Sequence, residues 1–413
     1  MVRWIIPFFS ALSIPFIPLC EEIKAYVTNQ SGASVFVIDE ATNTVIKTIP
    51  VGSSPTGVEV SPDGKIAYVA CENVNRIYVI NTATDTVSST INVDHFPVNI
   101  AFTPDGLKAY VTALTDNAVS IIDVSSGVKT GTISVGSFPV DVIIAPDGLK
   151  AYVTHNGDGK VSVIDVPSNT VFQTIAVGSG PAEAAVTPDG AKIYVTNFNS
   201  DSVSVINAAT SMVIATIPVG DQPISIAASR DSKKVYVGTQ GKAPIDDIFV
   251  IDVASDMVTG TIQVGNNPNG IAFTPDGTKA YVANRFSNSV SVIDATTDTN
   301  VGSIAVGSRP VGVTFTPSLQ MEVLGANKMN IFIAETELFN RITWSPPDGA
   351  NIKEYKIFLD ANLTQEIGRL DVNAPRVFED HNKKKGTTTT YYVGAFNGPS
   401  LVGIGFVKVT SKI

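Results

Sequence analysis

Between Lys192 and Gly220 the chain reads KIYVTNFNSDSVSVINAATSMVIATIPVG, and three runs within it, Lys192 to Thr196, Ser202 to Asn207 and Met212 to Val219, alternate apolar and polar residues. A period of two belongs to half-buried strands, and the Asn, Ser, Asp and Ala-Thr-Ser clusters between the runs read as turns. The preceding run, Glu183 to Thr187, joins through Pro188-Asp189-Gly190 and supplies a fourth strand. One unit therefore predicts a four-stranded antiparallel sheet. The unit recurs, and its period is marked by Tyr26, Tyr68, Tyr110, Tyr152, Tyr194, Tyr236 and Tyr281, 42 residues apart except for a last step of 45. Four strands in roughly 40 to 45 residues describe a propeller blade, whereas helical solenoids of that period would alternate every 3.6 residues. The expectation is an all-β chain with seven blades around an axis.

The first copy holds only three strands, Lys24 to Thr28, Ser34 to Asp39 and Thr44 to Val51. Its missing innermost strand matches Pro310 to Pro317, PVGVTFTP, which no tyrosine strand follows. Val311 to Thr316 is expected to pair with the first blade and close the ring, removing the edges of an open stack. Leading prolines at 55, 97, 139, 181, 223, 268 and 310 open the innermost strands, where no ladder donor is lost. Most of these strands end in Pro-Asp-Gly, a turn preset by proline and completed by a glycine at positive φ. The exceptions are Arg230-Asp231-Ser232 and, where the ring ends, Pro317-Ser318.

These features resemble the YVTN family of β-propeller repeat proteins, found in surface-layer and other exported proteins. The name motif stands as Tyr26-Val27-Thr28-Asn29 and Tyr194-Val195-Thr196-Asn197, with the variant Tyr152-Val153-Thr154-His155, and a companion Val-Ile-Asp recurs, as at Val163-Ile164-Asp165. The likeness covers about residues 23 to 317 and implies the fold more than a function. From Leu319 the period vanishes, and residues 319 to 413 resemble a fibronectin type III domain. Ile342-Thr343-Trp344 looks like its second strand with the core tryptophan, Tyr355-Lys356-Ile357 like its third, and Tyr391, Val393, Ala395 and Asn397 like its Tyr-x-Val-x-Ala-x-Asn strand. The resemblance implies a small β-sandwich used as a spacer or binding module.

The chain has 413 residues and a net charge of −10, and residues 1 to 318 hold 17 Lys and Arg against 28 Asp and Glu. An acidic propeller repels phosphate backbones, so nucleic acid is not an expected partner. Residues 1 to 20 read as an export signal, with Arg3 ahead of an apolar, proline-broken stretch from Trp4 to Leu19 that is too short to span a membrane comfortably. Lipidation at Cys20 is disfavoured because Leu19 stands where a small residue is expected. Only Cys71 then remains in the mature chain, so no disulfide framework is possible.

Loops between second and third strands share one face with those ahead of each leading proline. Two residues after that proline stand Gly57, Asn99, Asp141, Glu183, Ser225, Gly270 and Gly312, with Glu59 one pleat deeper. The polar members Asn99, Asp141, Glu183 and Ser225, together with Glu59, are candidates for a polar-ligand or cation site at the channel mouth, set against an ordinary water-filled channel. Phe96, Phe138, Phe198, Arg285, Phe286 and Arg309 occupy loop positions where most copies have small polar residues, and such side chains anchor protein interfaces or else fold back over their own blade. His95 and His155 lack the further ligands a zinc ion needs. No strained serine turn marks a nucleophile. Asp39, Asp123, Asp165, Asp252 and Asp294, with Asn81 and Asn207 as substitutes, are expected to cap the turn between third and fourth strands.

The expected function is an exported, monomeric, non-enzymatic binding or scaffold protein without cofactor or metal, using its loop face for a protein or small polar ligand. The alternative is an enzyme resembling lactonases or quinoprotein dehydrogenases, whose catalytic groups lie at the channel mouth. Asp141 and Glu183 would then carry the chemistry.

Overall fold

The computed structural model describes residues 23–241 and 246–317, and beyond them the backbone of seven strands between residues 332 and 410. The apolar N-terminal stretch, Cys20 and Trp344 lie outside the described residues.

Residues 24–315 form seven four-stranded antiparallel sheets, six built from consecutive strands and one closed across the array. In the first blade Pro310–Phe315 pairs with Lys24–Asn29, Val313 opposite Val27, and Ser34–Asp39 and Thr44–Pro50 complete the sheet. Each innermost strand touches the innermost strands on either side, in a cycle that returns through Pro310–Phe315 to Pro55–Val60. This is the predicted seven-bladed propeller, closed as expected. The longer last step of the tyrosine period falls in the sixth blade, in the loop between Lys234–Thr239 and Asp247–Asp252.

Alternation along the strands puts the apolar face of each blade against its neighbour. Tyr26, Val35 and Val37 meet Val58, Val69 and Ile80 of the next blade. Ala25 and Val27 meet Tyr281, Val290 and Val292 across the closure. All seven repeat tyrosines are buried, and the core is a set of layers between blades.

The Tyr-Val-Thr motif acquires a physical meaning in these layers. Valine fills the core, while the tyrosine and threonine hydroxyls bond across to the next blade. A register shift after each leading proline takes one innermost N–H off the ladder. The threonine hydroxyl accepts that N–H and donates to a carbonyl of the next blade. Thr28 joins Gly312 N–H (2.8 Å) to Thr56 C=O (2.6 Å), and Thr154 joins Asp141 N–H (3.1 Å) to Ala182 C=O (2.6 Å). Farther out, Lys192 and Tyr194 both donate to the carboxylate of Asp256, at 2.7 and 2.6 Å, and Lys24 and Tyr26 converge likewise on Asp85. Asp85 and Asp256 have φ of +51° and +53°, a left-handed conformation that Asp and Asn adopt more readily than most residues. Asp39, Asp123, Asp165, Asp252 and Asp294 accept backbone N–H bonds in their turns, as do Asn81 and Asn207. Charge is therefore dispensable at these positions, as the Asp and Asn exchange implied.

The chain divides into two compact units, the first spanning Glu22–Ser318. In the second, Phe332–Thr336, Phe339–Thr343 and Val377–Asp380 form a three-stranded sheet. Glu366–Asp371, Glu354–Phe358, Thr388–Asn397 and Ser400–Thr410 form, in that order, a four-stranded one.

Phe315 is buried on the closing strand with its ring centroid 4.9 Å from that of Tyr281. Phe315→Ala should cost about 3–5 kcal/mol, measured by denaturant unfolding; a loss under 1 kcal/mol would contradict closure as a stabilising contact. In the fifth blade Ser211 occupies the left-handed turn position (φ +54°), and the buried hydroxyl of Tyr152, in the fourth blade, has no partner among the described residues. Ser211→Asp should give Lys150 and Tyr152 the acceptor that Lys192 and Tyr194 have, raising stability by about 1 kcal/mol. An unchanged or lower unfolding midpoint would show that the hydroxyl needs no such acceptor.

Candidate functional site

Innermost strands run from the loop face, at the leading proline, to the Pro-Asp-Gly turns at the opposite end. Two residues after the proline, adjacent strands come closest. A Cβ at Gly270 would stand 2.2 Å from the Val311 carbonyl oxygen, and one at Gly312 would stand 2.6 Å from that of Thr56. Glycine at these positions is therefore a packing requirement, and the polar residues at the same register in other blades are turned to the same contact. Asp141, only 3 % exposed, accepts the Ala184 N–H at 2.8 Å and a bond from the Asn99 amide. Glu183 accepts the Ile226 N–H of the next blade at 3.2 Å. Ser225, fully buried, donates to the Pro268 carbonyl at 2.9 Å. Asn99 and Glu183 are half-buried. Asn99, Asp141, Glu183 and Ser225 stand at one register, and each bonds to the following blade.

Burial raises the Asp141 carboxyl to about 6, opposed by the amides of Ala184 and Val142 and by Asn99. Burial, then the neighbouring Asp141 charge, raises Glu183 well above the usual carboxylate range. Among the described residues no cluster of three or more His, Cys, Asp or Glu side chains could hold a metal ion. His95 contacts Asp116 at 2.9 Å and His155 is buried 3.3 Å from Asp158.

The room in the channel lies deeper, toward the turns. A cavity of about 330 Å³ is lined by Glu59, Arg230 and Thr314 together with Ala227, Ala272, Val313 and the turn prolines Pro62 and Pro317. Burial pushes the Glu59 carboxyl up to about 7, against the pull of the Arg230 guanidinium and the Thr314 hydroxyl and with a further push from Asp141. Thr314 Oγ1 donates to Glu59 Oε2 at 3.4 Å. Of the expected site only Glu59 lines this cavity, and the cavity reaches the turn face instead of the loop face. Sequence reasoning missed Arg230 as a lining side chain of this cavity, although its signal was present: Arg230 takes the place of proline in one Pro-Asp-Gly turn. Its aliphatic stem lies over the next blade's turn, 3.2 Å from where a Cβ on Gly277 would stand.

On the loop face, Phe138 and Phe286 are 52 % and 55 % exposed, while Phe96, Phe198 and Arg285 are half-buried and Arg309 is exposed. Arg285 donates to Gln30 Oε1 at 2.7 Å, and its guanidinium lies 5.7 Å from the Phe286 ring centre. The segments ahead of the leading prolines are fixed from the preceding blade. Asn75 Oδ1 accepts the Phe96 N–H, Asn117 Oδ1 that of Phe138, and Asn288 Oδ1 that of Arg309. No helix among the described residues is long and apolar enough to cross a membrane.

A family model for YNCE-like beta-propellers matches residues 106–279. Among solved structures the chain is similar to a functionally unknown protein from Desulfotomaculum acetoxidans, at 17 % identity over 71 % of this chain and 99 % of that one, with a TM-score of 0.64. It is similar to Kuenenia stuttgartiensis hydrazine synthase, at 22 % identity over 62 % and 88 % of the two chains and a TM-score of 0.58. It is also similar to the dihydro-heme d1 dehydrogenase NirN in complex with DHE, at 15 % identity over 74 % and 77 % and a TM-score of 0.55. At these identities the likeness establishes the fold alone. No curated protein matches.

The raised carboxyls have a consequence for stability. Between an unfolded value near 4.5 and a folded value of about 7, native Glu59 binds the proton more than the unfolded chain does, so its contribution falls as pH rises through that window. The loss is at most about 3 kcal/mol, reduced by the solvent that still reaches Glu59. Glu59→Gln should therefore stabilise the propeller at pH about 8 and leave it nearly unchanged at pH about 4.5. Equal stability of the two proteins at pH about 8 would show that Glu59 ionises there without cost.

Proposed function

We propose that this is an exported, non-enzymatic binding protein in which a rigid propeller, acting as a monomer, presents its loop face to a protein partner. The C-terminal unit, read as fibronectin type III-like, serves as a spacer or second binding module. One observation carries the reading. Phe96, Phe138 and Arg309 have φ of +58°, +54° and +55°, at a position where the other blades place Ser54, Gly180, Gln222 and Asn267. Bulky side chains are disfavoured in this left-handed conformation, Gly180 shows the cheaper choice, and strain of this kind concentrates at binding sites. Phe138 adds exposure to strain. Phenylalanine and arginine ringed by small polar groups suit the anchors of a protein interface.

Other features support the same reading. The division of the C-terminal strands into sheets of three and four accords with a sandwich. The charged start and apolar run of residues 1 to 20 support export, and the acidic propeller argues against nucleic acid. The enzyme alternative around Asp141 and Glu183 draws less support, because both carboxylates are engaged by backbone amides of the next blade.

Phe138→Gly combined with Phe286→Ser should leave thermal stability within about 1 kcal/mol, since glycine relieves the left-handed strain. The same variant should retain at least about tenfold less of the partner that the unaltered protein captures from a cell-envelope fraction. Equal capture by the two proteins would remove the loop face from the function.

A further inference from the structure

Two breaks in the repeat meet in one place. Four residues after the leading proline, where the second blade has Glu59, the others carry Ala101, Ile143, Ala185, Ala227, Ala272 and Thr314. At the first turn position, where the sixth blade has Arg230, the others carry proline. Far apart in sequence, the two charged residues line the same cavity of about 330 Å³ at the turn end of the channel. Among the described residues neither forms an ion pair. Opposite charges therefore share a cavity without a direct ion pair, the guanidinium acting on the Glu59 carboxyl only through space, beside Ala227, Ala272 and Val313.

We propose that this cavity binds a small zwitterion, an amino-carboxylate whose ammonium group pairs with Glu59 and whose carboxylate pairs with Arg230. A ligand with a cation alone forgoes the guanidinium, and a ligand with an anion alone sets like charge beside Glu59. A molecule carrying both ends makes two charge-assisted contacts at once, and Thr314 supplies a hydroxyl beside the acidic end. The volume lies at the small end of the range for ligand pockets, about 300–1,000 Å³, and the alanine walls suit a short aliphatic body. The site lies at the end of the channel opposite Phe138 and does not depend on the loop-face partner.

The test is calorimetric titration of the full chain with L-leucine, γ-aminobutyrate and ε-aminocaproate, which hold their charges at three spacings. Saturable binding of at least one is expected, with n-butylamine and butyrate each at least about tenfold weaker. Glu59→Gln and Arg230→Pro should each weaken the zwitterion by about tenfold or more. Arg230→Pro restores the turn used by the other blades and Glu59→Gln removes a buried charge, so both variants should unfold at or above the temperature of the unaltered protein. Lack of saturable binding by all three zwitterions, equal binding of n-butylamine, or undiminished binding by either well-folded variant would overturn the proposal.

Discussion

Pairing of Pro310–Phe315 with Lys24–Asn29 is the constraint on which the molecule depends. Each blade buries one face on each neighbour, and none has a second layer of its own. A ring of such sheets is satisfied only when the last meets the first, so the apolar layer joining Val27 to Tyr281 and Val290 matters as much as any within the array. Cycle closure also fixes the channel, because the innermost strands are pressed together where Gly270 and Gly312 leave no room for a Cβ.

Between the layers, polar side chains do the aligning. The threonine hydroxyl holds an N–H that the proline-induced register shift would strand, and passes the bond on to the next blade. The tyrosine and its companion lysine reach an acceptor in a left-handed turn. Burying such groups is costly unless each finds a partner, so one blade can take one angle against the next. The same alignment carries the left-handed loop positions of Phe96 and Phe138 and brings Glu59 and Arg230 to one cavity.

The fold was legible in the sequence because its signals are local and repeated seven times. The tyrosine period, the proline-led strands and the Asp and Asn turn caps each depend on neighbours a few residues away, and the orphan strand after Pro310 stood out by lacking a successor. The candidate site was legible only in part. Register placed Asn99, Asp141, Glu183 and Ser225 at one level, but whether such side chains face water or the next blade depends on an approach distance between strands that no single repeat encodes. Glu59 was marked and Arg230 was read as a turn irregularity. Their relation arises from the curvature of the ring, which sets blades two and six around one cavity.

The same closing strand orders events in time. Val27 cannot meet Val313 until nearly the whole array has left the ribosome, so a nascent chain carries an unfinished sheet whose free edge is open to wrong pairing. Contacts so remote along the polymer make for slow folding. A chain that stops short of Pro310 leaves Lys24–Asn29 without its innermost partner, so the unpaired edge persists for as long as the closing strand is missing.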